Sequence, residues 1–152
     1  MEILPDTVVV VPARVAWKEY DTCHAYVCQP KRPFQEVKYL AFYLGGEIKT
    51  TVPLIREIID EVVWKPSLHT GRLAETIRLL SRSPRKVDLT YKVFLLSRPE
   101  DAETIHLANP VINDLSYAFR HQRYVTLQNL RSARHTSDLV FLKRGACAMA
   151  TD

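Results

Sequence analysis

Glycine is scarce in this chain, with four residues in 152, and no G-x-G-x-x-G or P-loop occurs, so a loop that cradles a nucleotide's phosphates is not expected. Cysteine is scarce too. Three thiols, an odd number without framework spacing, exclude a disulfide scaffold and suit a reducing compartment. Long apolar runs are missing: the longest near the start, Thr7 to Ala13, is far short of the ~20 residues a membrane span needs. The chain's start also lacks the basic lead-in of a secretion signal. Nucleophile and metal motifs are absent as well, since neither G-x-S-x-G nor H-E-x-x-H occurs. The simplest expectation is a soluble cytoplasmic domain without a cofactor.

What is present is ordinary globular material. Hydrophobic residues make up 47% and charged residues 25%. A chain of this length buries enough surface to fold without staples. The organisation expected is a single domain over residues 1–144, with 145–152 a frayed tail.

The net charge is +4, unevenly spread. Residues 64–98 carry eight Lys/Arg against two Asp/Glu, and residues 110–144 carry six against two. Residues 1–63 carry seven against nine. Asymmetry of this kind marks either a surface for a polyanion or a merely solvated face.

Pattern along the chain predicts several short strands and two or three short helices. Thr7–Val11 reads as a buried strand ended by Pro12. Thr22–Cys28 reads as a weaker one. Val37–Tyr43 is rich in aromatic and aliphatic residues; Gly45-Gly46 then turns into a returning strand, Glu47–Val52. Pro53–Trp64 fits both periods, and its Ile/Val content favours a strand from Ile58. Leu73–Leu80 reads as a helix started by Thr70 or Gly71. Tyr91–Ser97 is a strand, Thr104–Leu107 a short one, and Thr126 has the chemistry to cap a helix over Leu127–Ala133. The class is α+β, with a sheet curled into a small barrel.

The block VKYLAFYLGGEIKTTVPLIREI, with Phe42-Tyr43, Gly45-Gly46, Ile48 and Pro53, resembles the central hairpin of the PUA-like superfamily, which includes PUA, EVE, YTH and ASCH domains. The later YKVFLLS and RYVTLQNLRSARHTSDL (Arg123 to Leu139) resemble segments of small PUA-like domains found beside bacterial restriction and defence genes. The resemblance implies a compact β-barrel that binds RNA or DNA, in some relatives a flipped or modified base. The chain departs from the EVE pattern at its start, and the basic stretch Lys65–Lys86 has no counterpart there.

A base site needs aromatic faces and a few polar edge readers. Trp17, Tyr20, Tyr43 and Trp64 are the candidate rings, with Asp21 or Asn113-Asp114 as edge readers; core packing is the competing role for each ring. Arg72, Arg78, Arg82, Arg85 and Lys86 form one candidate phosphate-binding group, and Arg120, His121, Arg123, Arg131 and Arg134 a second. Cys23, His24 and Cys28 do not make a metal site by spacing: one pair on an expected strand, with no second pair, is less than zinc needs. Asp88–Val93 faintly resembles a nuclease core, but Thr90 stands where an acid should.

Three functions follow. The leading one is a non-catalytic nucleic-acid-binding module. The alternatives are a small ASCH-like hydrolase of nucleotides or RNA that depends on Lys92, and a protein-interaction subunit of a bacterial defence complex. Oligomeric state is open, and no membrane partner is expected.

Overall fold

The computed structural model describes residues 6–80, 85 and 87–142. In chain order the elements are β1 (Thr7–Pro12), α1 (Ala16–Cys23), β2 (Ala25–Cys28), β3 (Tyr39–Leu44), β4 (Glu47–Ile48), β5 (Thr51–Val52), β6 (Ile55–Val63), α2 (Gly71–Leu79), β7 (Thr90–Leu96), β8 (Ile105–His106), β9 (Val111–Ile112), β10 (Arg123–Thr126) and α3 (Leu127–Ser132). Single 3-10 turns lie at Pro66–Leu68 and Thr136–Asp138. The α+β class is thus observed. Contacts divide the chain into two compact units: residues 1–14, 34–54 and 98–152, and residues 15–33 and 55–97.

The first unit is built on a five-stranded sheet in the order β10-β1-β3-β4-β9, with β5 and β8 paired separately. Its strand β1 runs parallel to β3, with Val8 opposite Tyr39, and antiparallel to β10, with Thr7 opposite Thr126. A strand flanked on both edges and covered on both faces reads as an unbroken apolar run rather than an alternation. That is why TVVVV works here: Val8, Val9, Val10 and Val11 are all fully buried. Val8, Val10, Ala41, Tyr43, Ile48, Val125 and Leu130 meet in one core cluster.

The turn after β3 needs left-handed backbone at two consecutive residues, and Gly45 (φ +65°) and Gly46 (φ +78°) supply it. The expected returning strand Glu47–Val52 is broken in two. Glu47 and Ile48 pair with both β3 and β9, whereas Thr51 and Val52 leave to pair with β8. The five-stranded ladder does not hydrogen-bond into a ring among the described residues.

The second unit holds an antiparallel sheet in the order β2-β7-β6 with α1 and α2. Ambiguous Pro53–Trp64 resolves as strand, and β6 begins three residues earlier than expected, at Ile55. Its register slips between Ile59 and Val62, where Glu61 takes φ +52°, a bulge that re-aims the strand's end. The segment Ala16–Cys23, of which only Thr22 and Cys23 are expected in an element, a strand, is helix instead. Ala16, Glu19, Tyr20 and Cys23 recur at helical spacing, and all four are buried. The reading of Thr22–Cys28 as strand therefore holds only from Ala25. Thr70 precedes α2 as expected but makes no side-chain cap; the entry is set by Gly71 at φ +63°. No helix among the described residues is long and apolar enough to cross a membrane.

Candidate nucleic-acid interface

Within the second unit, Arg72 and Arg85 of the first basic group are engaged in holding the fold. Arg72 donates to the carbonyls of His24 (2.8 Å) and Leu96 (2.6 Å), tying α2 to the ends of β2 and β7. Arg85 grips the Glu19 carboxylate with both terminal guanidinium nitrogens, Nη2 reaching Oε1 at 2.8 Å. It also lies 5.5 Å from the Trp64 ring centre and donates to the Val27 carbonyl. Its side chain is 13% exposed and that of Glu19 is 7%. Arg78 is exposed and faces Glu75 one helical turn away at 3.6 Å. Arg82 and Lys86 lie outside the described residues.

Most of the candidate rings face inward. Tyr20 is buried with its hydroxyl donating to the Ser97 carbonyl at 2.8 Å, and Trp17, half-buried, stacks on it. Trp64 is buried edge-on to Tyr91. In the first unit, Tyr43 is buried and stacks on Phe119, with ring centres 4.7 Å apart and planes 20° apart. Tyr20, Tyr43 and Trp64 thus present no open face to a base, and Trp17 presents a partial one.

Cys23 and Cys28 sit in α1 and β2, not on the single strand expected to carry both. Burial pushes both thiols up to about 11, which keeps them protonated and unreactive near neutral pH. Lys92 is buried too, its Nζ 3.0 Å from Asp60 and donating to the Arg32 carbonyl at 2.6 Å. Asp60, from β6, pairs with the lysine whose own strand carries no acid.

The second basic group belongs wholly to the first unit. Residues 110–142 contain only two acids, Asp114 and Asp138, against Arg120, Arg123, Arg131 and Arg134. Both carboxylates are turned toward local donors. Asp114 accepts from the Ser137 hydroxyl, the Ser137 N–H (2.9 Å) and the Thr136 hydroxyl (3.0 Å). The Ser137 hydroxyl does most to hold its carboxyl below the usual range. Asp138 accepts from the N–H groups of Arg134 and His135, both at 3.0 Å, and these hold its carboxyl low as well. The four arginine side chains are left without a carboxylate partner among the described residues. Arg120, Arg131, Arg134 and His121 are exposed.

Arg123 is different. It is half-buried at the start of β10, with its guanidinium 5.1 Å from the Phe141 ring centre and 6.0 Å from that of Phe119. Phe119 and Phe141 meet edge to face at 5.6 Å, and Phe119 rests in turn on Tyr43. A guanidinium within cation–π range of two rings is restrained in position, and its planar N–H fork suits bidentate binding of phosphate.

Asn113 fastens the neighbouring loop. Its Nδ2 donates to the Tyr43 hydroxyl (3.0 Å) and the Tyr117 carbonyl (2.9 Å). Its Oδ1 accepts from the Leu115 N–H (3.1 Å) and the Thr136 hydroxyl (2.7 Å). Asn113 and Asp114 are therefore occupied with structure and are not placed to read a base edge. The loop they hold carries Tyr117, which is 50% exposed.

No family model, curated protein or solved structure matches the chain. Its chemistry has to be read from its own side chains. Of the predicted site residues, Arg120 and Arg123 come together in one segment, and the structure adds Phe119 and Phe141. Sequence reasoning passed over both because aromatic residues in a loop carry no periodic signal. The Asn-Asp pair at 113–114 was the available hint, since those residues build local turns far more often than they read bases.

Proposed function

We propose that the chain is a non-catalytic nucleic-acid-binding module of the PUA-like kind, and that residues 117–134 of its first unit hold the polyanion. The observation that carries this is the unneutralised arginine set: both acids of the segment are satisfied by hydroxyl and N–H donors, while Arg123 lies preset on Phe119 and Phe141. Cations without a carboxylate partner break no internal ion pair when they take a phosphate. The hairpin that carries the PUA-like resemblance supplies β3 and β4, neighbours within the five-stranded sheet of the same unit, which supports reading sheet and site together.

The hydrolase alternative has less support, because it asks for the amine of Lys92, which already sits against Asp60 and the Arg32 carbonyl. The test is fluorescence anisotropy with labelled oligonucleotides at about 50 mM and about 200 mM salt. Affinity is expected to fall steeply with salt, and Arg120→Gln with Arg123→Gln together to flatten the log–log slope by roughly two units. A slope already flat in the wild-type chain, or one unmoved in the double variant, would refute the proposal.

A further inference from the structure

The same segment says which form of nucleic acid it suits, an inference that rests on the reading just given. A large ring standing in solvent is common enough to need no explanation by itself. Tyr117 stands out because of how its backbone is held. Its carbonyl is pinned by an asparagine that simultaneously bonds the Tyr43 hydroxyl, the Thr136 hydroxyl and the Leu115 N–H. Thr136 in turn is bound to Asp114, and the Asp114 N–H donates back to the Thr136 hydroxyl at 3.1 Å. A loop fixed at this many points carries its exposed ring at little further cost in backbone entropy.

Tyr117 is two residues from Phe119, so its Cα lies within about 7 Å of that of Phe119. Phe119 is one of the two rings under the Arg123 guanidinium. An exposed aromatic ring and a guanidinium restrained on two rings thus lie six residues apart on one stretch of chain, with Arg120 and His121 exposed between them in sequence.

We infer that this site takes a single strand, with a base stacked on Tyr117 and the adjoining phosphate on Arg123. Stacking demands an accessible base face, which a single strand offers and a duplex keeps between its neighbours. Stacking is also tolerant of sequence, because every base has a π-face. The preference is therefore for strandedness and not for a particular base.

The experiment compares a mixed-sequence single-stranded oligonucleotide, as DNA and as RNA, with the duplex of the same sequence, for wild type, Tyr117→Leu and Tyr117→Phe. Single strands are expected to bind more tightly than the duplex. Tyr117→Leu should weaken single-strand binding roughly five- to a hundred-fold, and Tyr117→Phe, which keeps the ring, should restore most of it. Salt-sensitive binding in which the duplex equals or exceeds the single strand, or in which Tyr117→Leu matches wild type, overturns this inference and leaves the module reading standing. Absence of binding to every oligonucleotide overturns both.

Discussion

The two units make opposite use of their charge. By sequence, residues 15–33 and 55–97 are the basic part, with eleven Lys/Arg against seven Asp/Glu. The rest of the chain is balanced at ten against ten. Yet in the basic unit Arg32, Arg72, Arg85 and Lys92 are committed to a tyrosine hydroxyl, backbone carbonyls or carboxylates. In the balanced unit the acids of residues 110–142 are the occupied groups, and the arginines are left over. Net charge measures what a segment contains. What it can offer a ligand depends on which sign the fold has already consumed.

The sharpest way to break this comparison is to attack the second unit's internal pair. Glu19 and Arg85 are both nearly inaccessible, and removing one partner strands the other charge in a low-dielectric site. Glu19→Ala is expected to cost about 3–5 kcal/mol in urea unfolding, while Glu19→Leu with Arg85→Met, which removes both charges, should recover much of that. Arg85→Met alone should be comparably destabilising, and its remaining folded fraction should bind oligonucleotide as wild type does. A folded, stable Arg85→Met or Arg72→Gln variant with weakened binding would return the phosphate site to the second unit.

How much of this was legible beforehand depends on where the information sits. Strand β1, the β3 segment and β7 are runs whose composition alone decides them, and the Gly45-Gly46 turn announces itself. Helix α1 hid because only four of its residues face inward and one of those is Glu19. A buried glutamate breaks the apolar pattern unless its partner is known, and that partner, Arg85, lies 66 residues away. The same long-range pairing explains why Arg72 and Arg85 looked available. At the candidate site, the arginines of residues 120–134 could be named from sequence. That Asp114 would be taken up by Thr136 and Ser137 could not, since this depends on a turn at 136–138 meeting a loop at 113–117.

A smaller effect checks that the first unit's scaffold is local and modular. The Thr126 hydroxyl accepts the Asn129 N–H at 3.1 Å, capping α3 immediately after β10. Thr126→Ala should cost about 1 kcal/mol, while Thr126→Ser, which keeps the acceptor, should cost less. Because the cap follows the strand that starts with Arg123, the stability loss is expected without a change in the salt dependence of binding. A change in that slope would mean that α3 helps to place the guanidinium.

The subtlest test uses pH to ask whether Asp114 and Asp138 really are withdrawn from the arginines. Both carboxyls are held below their ordinary values by hydrogen bonds to the ionised form, mainly from the Ser137 hydroxyl for Asp114 and from the Arg134 N–H for Asp138. A folded pKa below the unfolded one means that the unfolded chain binds more protons between the two. The stabilisation is then complete above the ordinary carboxyl range near pH 4 and is lost as pH falls through the lowered folded values. Urea midpoints should accordingly drop below about pH 4, and Asp114→Asn should make that drop shallower. At neutral pH the same variant removes a negative charge from the segment, yet the carboxylate was already occupied by donors other than arginine. Oligonucleotide affinity should therefore change only by the weak, salt-screened loss of one nearby charge. A large rise in affinity in Asp114→Asn would show that the carboxylate had been competing with the phosphate for the arginines, and the contrast between the two units would narrow.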